Sequence, residues 1–349
     1  MIVEKKLHKQ DYLWMLLLLA GSLYYYLDYF FKVRNSAGGF PLTADGIWYL
    51  ERAQALLNHF SLSLHVDDIL YIGYNLLLTL LLGILKNTES ILLVQVICTA
   101  GGVILVYRIA FRIFDRLTAV FAGIAYASSL DLHTWTVFIL SDSFFTSLLL
   151  LNIFTLTEYF WGGIKIYKWP ALATTIWVML FRPTGFVAAV LIAATLILLF
   201  ERATIRNLIK AHGQKLALLL AAGVSVLALL FYWGKLDAFY VSLHYNFKLL
   251  FYNVYAKGWI YDIHTKFDHI WFPNYTIIDD NELWSFVYFN WRDILVMMHK
   301  KALVFMGYWV VYSDPQYRLS MFIFSIPTIL FLLGLANCVF ERKVARASL

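Results

Sequence analysis

The chain has 349 residues, of which 61% are hydrophobic, 18% aromatic and only 14% charged, with a mean hydropathy of +0.69 and a formal net charge of +6. Soluble domains are near half apolar and about a quarter charged, so this composition describes an integral membrane protein and excludes disordered, collagen-like and disulfide-scaffold classes. Cys98 and Cys338 lie in apolar runs, where a thiol acts as a small hydrophobe and reports nothing about redox compartment.

The N-terminus MIVEKKLHKQ leads into an apolar, tyrosine-rich run over residues 12–31. Its charged start is that of a signal peptide, but the run has the length of a full span and no small-residue cleavage site closes it, which predicts an uncleaved first span. Further runs of spanning character cover 90–111, 117–131, 139–160, 169–200, 215–233 and 319–340. The 169–200 run is too long for one span and holds Phe181-Arg182-Pro183-Thr184-Gly185 at its middle. An arginine at the bilayer centre costs about 2.5–3.5 kcal/mol, and proline disfavours continuous helix, so the run divides into two short spans meeting at an aqueous face. The expectation is an all-α polytopic bundle of about eight spans, with residues 1–349 forming a single transmembrane domain.

Orientation follows from the basic residues. Lys5, Lys6 and Lys9, then Arg108, Arg112 and Arg116, Lys165 and Lys168, Arg202, Arg206, Lys210 and Lys215, and Arg342, Lys343 and Arg346 all fall on one side, which the positive-inside rule makes cytoplasmic. The surplus charge is thereby read as topology, and nucleic acid is not an expected partner. The exoplasmic side receives loop 32–89, the turn from Asp131 to Asp142, the Arg182 turn and the aromatic-rich loop 234–318. Within the first loop, Ile47, Leu50, Ala53 and Leu57 recur at helical spacing, and 69–85 is apolar but interrupted by Gly73, Asn75 and Gly83. Both read as juxtamembrane helices, because a full span at 69–85 would invert every basic loop downstream; residues 294–312 are placed at the interface on the same parity.

Three constellations on that face can carry chemistry. In Thr43-Ala44-Asp45-Gly46-Ile47-Trp48-Tyr49-Leu50-Glu51-Arg52, a helix beginning near Asp45 puts Asp45, Trp48, Tyr49 and Arg52 on one face. That suits a general base beside a phosphate-binding cation; equally, Asp45 can cap the helix and Arg52 snorkel to headgroups. Asp131 and His133, followed by Ser141-Asp142-Ser143, can line a polar cleft at a span's end, or Ser141 or Asp142 can simply cap a helix. Arg182 needs an anionic partner, which a lipid phosphate or Asp142 would each supply. In the 234–318 loop the aromatic side chains suit sugar stacking or interfacial anchoring, and Arg292, Lys300 and Lys301 suit lipid phosphate or headgroups. His264, Asp268 and His269 lack metal-ligand spacing, and the chain has no P-loop, GxGxxG, HExxH or Asp-x-Asp, which disfavours a soluble sugar-nucleotide donor and a metal site.

The order of these features resembles the bacterial GT-C membrane glycosyltransferases related to protein O-mannosyltransferases and the aminoarabinose transferase of lipid A modification. The residues carrying it are Asp45, Tyr49 and Leu50 before Arg52-Ala53, the apolar stretch 69–85, Tyr107-Arg108 with Phe114-Asp115-Arg116, Ser141-Asp142-Ser143, Arg182-Pro183-Thr184-Gly185, and Asn290-Trp291-Arg292-Asp293 ahead of Lys300 and Lys301. Where that family has an Asp-Glu pair and a Pro-Pro-Leu motif, this chain has Asp45-Gly46 and Leu70-Tyr71-Ile72-Gly73-Tyr74. The resemblance implies a polyprenyl-phosphate sugar as donor, a glycan, lipid or protein acceptor, and no cofactor. It further implies Asp45 as base for an inverting displacement, and Arg182, Arg52, Arg292, Lys300 and Lys301 as cations for the leaving phosphate. Asp142, Asp131, His133, Trp48 and Tyr49 would line the cleft, on the exoplasmic face of a bacterial cytoplasmic membrane. Longer relatives carry a soluble C-terminal domain, so acceptor recognition would fall to loop 234–318 or the cleft. From a different class, a flippase or carrier for a lipid-linked saccharide would bind such a lipid without chemistry; a surface-polysaccharide polymerase or ligase would share the donor.

Overall fold

The computed structural model describes residues 6–60 and 66–199, together with scattered positions beyond 212 that include the helical stretch 288–292. The chain divides into two units, Met1–Asn207 and Leu208–Leu349, and the helices named below belong to the first. The expected span at 319–340, Lys300, Lys301 and most of loop 234–318 lie outside the described residues, as does the span at 215–233 apart from scattered helical positions. Among the described residues every regular element is helical.

Three helices are long and apolar enough to cross a membrane: α1 (Lys9–Arg34), α5 (Thr88–Ile113) and α8 (Ser141–Phe160). α2 (Ala44–His59), α3 (Val66–Leu70) and α4 (Ile72–Leu85) come between the first two, followed by α6 (Arg116–Ala127), α7 (Leu130–Trp135), α9 (Lys168–Phe181) and α10 (Pro183–Leu199).

α1 and α5 run antiparallel. Near the start of α1, Asp11 is fully buried and accepts from Tyr107 Oη at 2.8 Å and Arg116 Nε at 2.7 Å; at mid-length Ser22 Oγ donates to the Ala100 carbonyl at 3.1 Å; at the far end Arg34 meets Glu89 at 2.7 Å. α8 runs parallel to α5, because buried Glu158 near its C-terminus accepts from Arg108 at 2.7 Å and from Arg112, both in the last turns of α5. One end of the bundle therefore gathers Asp11, Arg108, Arg112, Arg116 and Glu158, and the other gathers Arg34, Glu89 and Asp142.

Two expectations on the third and the long apolar runs come out differently. Residues 169–199 do form two helices broken at Arg182, whose backbone is extended (φ −165°, ψ 160°), as the residue before a proline prefers. The run at 117–131 is instead a helix of 12 residues, about 18 Å long and too short for a span. It stops at Ser128, whose hydroxyl turns back to the Ala125 carbonyl at 3.3 Å, and Ser129 opens α7; serine side chains compete in this way for helix backbone.

α4 begins and ends at the same end of the bundle. Its first turn lies against the C-terminal end of α9, where a Cβ on Gly73 would come within 2.9 Å of the Leu180 carbonyl oxygen. Its last residue leads through Lys86 and Asn87 into the start of α5. α2 makes a similar close approach, since a Cβ on Gly46 would lie 3.0 Å from the Ile139 carbonyl oxygen. These two glycines let α2 and α4 close over the ends of α8 and α9, with Tyr26, Phe30, Tyr49, Tyr74, Leu78, Phe144 and Phe181 packed in one buried apolar cluster beneath.

Candidate functional site

α2 starts where the sequence suggested. Thr43, not Asp45, caps it, its hydroxyl accepting from the Gly46 N–H at 3.0 Å, and Asp45 takes the second position of the first turn, which suits a carboxylate. Asp45 is exposed, and among the described residues no side chain bonds to it. One turn on, Tyr49 is buried, with its hydroxyl bonded to those of Ser141 and Tyr71 and its ring edge-on to Tyr74 at 4.8 Å and Tyr71 at 5.5 Å.

Tyr71 is the meeting point of the charges. Asp45, Asp142 and Arg182 each act on it electrostatically, which puts charges from α2, α8 and the α9–α10 break in its neighbourhood. Burial raises both Tyr49 and Tyr71 above the ordinary tyrosine value, keeping the two hydroxyls protonated and able to donate.

Arg182 Nη1 donates to Asp142 Oδ1, and the guanidinium lies 5.5 Å over the Phe145 ring. Its Nε–H is buried with no partner among the described residues, so one nitrogen is engaged and another is unsatisfied. Tyr74 Oη and Ser143 Oγ are likewise buried without partners. The arrangement is an exposed carboxylate bonded by no described side chain, a paired carboxylate–guanidinium, and buried tyrosine rings and hydroxyls. Such a set can accept a proton, hold a singly charged anion and stack against a sugar face. Among the described residues no group of three His, Cys, Asp or Glu side chains converges to hold a metal ion.

The other sequence-nominated residues lie elsewhere. Arg52 is turned away to Asp68, with Nε 3.0 Å from Oδ1 and its guanidinium 5.8 Å over Trp48; the pair ties α2 to α3. Trp48 is half-buried, its ring edge-on to Tyr49 at 4.9 Å, and forms the wall between Tyr49 and Arg52. Asp131 lies on α7, and its side chain is outside what the structure describes. Arg292 is exposed and sits 5.3 Å over the Trp291 ring in the second unit. Sequence reasoning gives Asp68 and Gln95 no part in the site and notes Tyr71 and Tyr74 only as part of the Leu70–Tyr74 stretch; the one signal for the tyrosines is their i, i+3 spacing around Gly73.

His133 is buried against α1, stacked on Tyr25 at 4.3 Å, tilted on Tyr29 at 4.1 Å and edge-on to Tyr26 at 5.3 Å. Its charged neighbours are Asp28 and Lys32, not Asp45 or Asp142. Burial lowers its pKa below 6.5, so the folded state resists a proton that the unfolded state accepts. The stabilisation is complete above the unfolded value and is lost as pH falls through it. Thermal unfolding in detergent between about pH 8 and about pH 5 should show a melting temperature that drops on acidification. His133→Phe should flatten that drop; an equal drop in the variant would assign it to other groups.

No family model, curated protein or solved structure matches the chain.

Proposed function

We propose that the chain is a glycosyltransferase of the GT-C type, moving a sugar from a polyprenyl-phosphate donor to a glycan, lipid or protein acceptor at the exoplasmic face of a bacterial cytoplasmic membrane. The observation that carries this reading is the exposed Asp45 carboxylate, bonded by no described side chain, on a helix turn that rests against the Ile139 carbonyl just ahead of the Asp142–Arg182 pair. In the proposed step Asp45 removes the acceptor hydroxyl proton, the acceptor oxygen bonds to the anomeric carbon, and the bond from that carbon to the phosphate oxygen breaks with inversion. The negative charge growing on the phosphate is met by the Arg182 guanidinium, which is worth most where water is excluded. Trp48 and Tyr49 offer ring faces and edges to the sugar. Arg52 would serve the phosphate only by leaving Asp68.

Three helices with the length and apolarity of spans are compatible with the lipid part of such a donor lying alongside the bundle. The test is reconstitution in vesicles with a panel of sugar-labelled polyprenyl-phosphate donors. Transfer to acceptor with inverted anomeric configuration is the expected result. Label that crosses the bilayer still attached to its lipid, with no glycoside formed, would replace this reading with a carrier.

A further inference from the structure

We propose that Gln95 is a positioning residue that sets the spacing between Asp45 and Asp142; its consequence for catalysis rests on the reaction proposed above. Gln95 lies on α5, fully buried, and touches neither carboxylate. Its amide nitrogen lies 2.8 Å from the Phe138 carbonyl oxygen, 3.0 Å from that of Thr136 and 3.4 Å from that of Trp135. Carbonyls only accept, so the NH2 group faces this turn and its two hydrogens are spent there.

The turn so held is unusual in being buried and non-helical at once. Thr136, Val137, Ile139, Leu140 and Ser141 are all buried. Irregular backbone away from water must have its carbonyls satisfied from somewhere. Part of that comes from within, as Thr136 Oγ1 donates to the His133 carbonyl at 2.7 Å and the Leu140 N–H to that of Phe138 at 2.9 Å. Among the described residues, Gln95 is the side chain that reaches the turn's carbonyls from the long-helix scaffold.

The turn connects directly to both carboxylates. Its Ile139 carbonyl sits where a Cβ on Gly46 would approach to 3.0 Å, so the first turn of α2, carrying Asp45, rests on it. Two residues past Ile139 begins α8, whose second residue is Asp142. A shift of the turn therefore moves the base and the partner of Arg182 relative to each other, and Gln95 ties the turn to α5, which packs along α8.

Two substitutions separate positioning from mere support. Gln95→Leu keeps the volume and removes both donors; Gln95→Glu keeps the shape but donates only while its carboxyl is protonated. Spin labels at Ile47→Cys on α2 and Leu151→Cys on α8, in a Cys98→Ser, Cys338→Ser background, report the α2–α8 distance without substrate. Gln95→Leu should broaden that distance distribution and lower kcat about a hundredfold, with KM for the donor within about twofold. In Gln95→Glu, lowering the pH should narrow the distribution and restore kcat together, a reversible signature that a general loss of stability does not give. An unchanged distribution in Gln95→Leu overturns the proposal. Should Gln95→Leu fail to fold, a pH-independent distribution in Gln95→Glu overturns it. A broadened distribution in Gln95→Leu upholds the positioning role even where the unsubstituted protein transfers no sugar, an outcome that overturns only the proposed reaction.

Discussion

Asp45→Asn is expected to lower the turnover of sugar transfer by about a hundredfold to ten-thousandfold, the range supplied by a positioned general base, with KM for the donor little changed. The amide is nearly isosteric and sits at an exposed first-turn position, so the fold should be untouched and the loss should appear in kcat. Asp142→Asn makes the informative contrast. Asp142 is engaged by Arg182, and weakening that bond frees a guanidinium for the proposed phosphate as well as removing a charge, so its effect should divide between KM and kcat. Steady-state kinetics on the two variants, with melting temperatures alongside, distinguishes the roles. Equal kcat losses from both would mean that Asp45 has no special part.

Glu158→Leu is expected to cost about 3–5 kcal/mol of stability, the usual penalty for removing one partner of a buried ion pair. Glu158 is almost wholly buried, and its two oxygens take Arg108 and Arg112, the latter side chain only 9% exposed. Without the carboxylate, two guanidinium groups share an interior with no counter-ion from α8. The physical cause is the stranded charge, not the lost contact, which sets up a second measurement: replacing Arg108 and Arg112 by Leu in the Glu158→Leu background should recover much of the loss. Denaturant unfolding of the purified variants in detergent checks both. If the triple variant were no more stable than Glu158→Leu, packing rather than charge would be the cause.

Local signals were legible in the sequence, and long-range ones were not. The break at Arg182 could be read because a proline restricts its predecessor and an arginine cannot sit at mid-bilayer, both properties of adjacent residues. The start of α2 near Asp45 followed from the spacing of Ile47, Leu50, Ala53 and Leu57, although Thr43 rather than Asp45 caps it. Arg182 was matched with Asp142 as one of two partners because both fell on the same side of the same count. The division of the 117–131 run was not legible because hydropathy does not register that Ser128 can end an apolar helix by bonding to its own backbone. Arg52 with Asp68, His133 with the α1 tyrosines, and Gln95 with the 135–138 carbonyls all join residues whose proximity exists only after helices pack. His133 illustrates the cost: its neighbours in sequence suggested a cleft, while its neighbours in space are aromatic rings from more than a hundred residues earlier.

The central claim is that a lipid phosphate leaves from this site, and it is tested most directly by the yield of free polyprenyl phosphate during a single turnover of reconstituted protein. One polyprenyl phosphate released for each sugar appearing on acceptor, with release suppressed in Asp45→Asn, is the predicted result. Sugar transfer without polyprenyl phosphate, or release as fast in Asp45→Asn as in the unsubstituted protein, would contradict it.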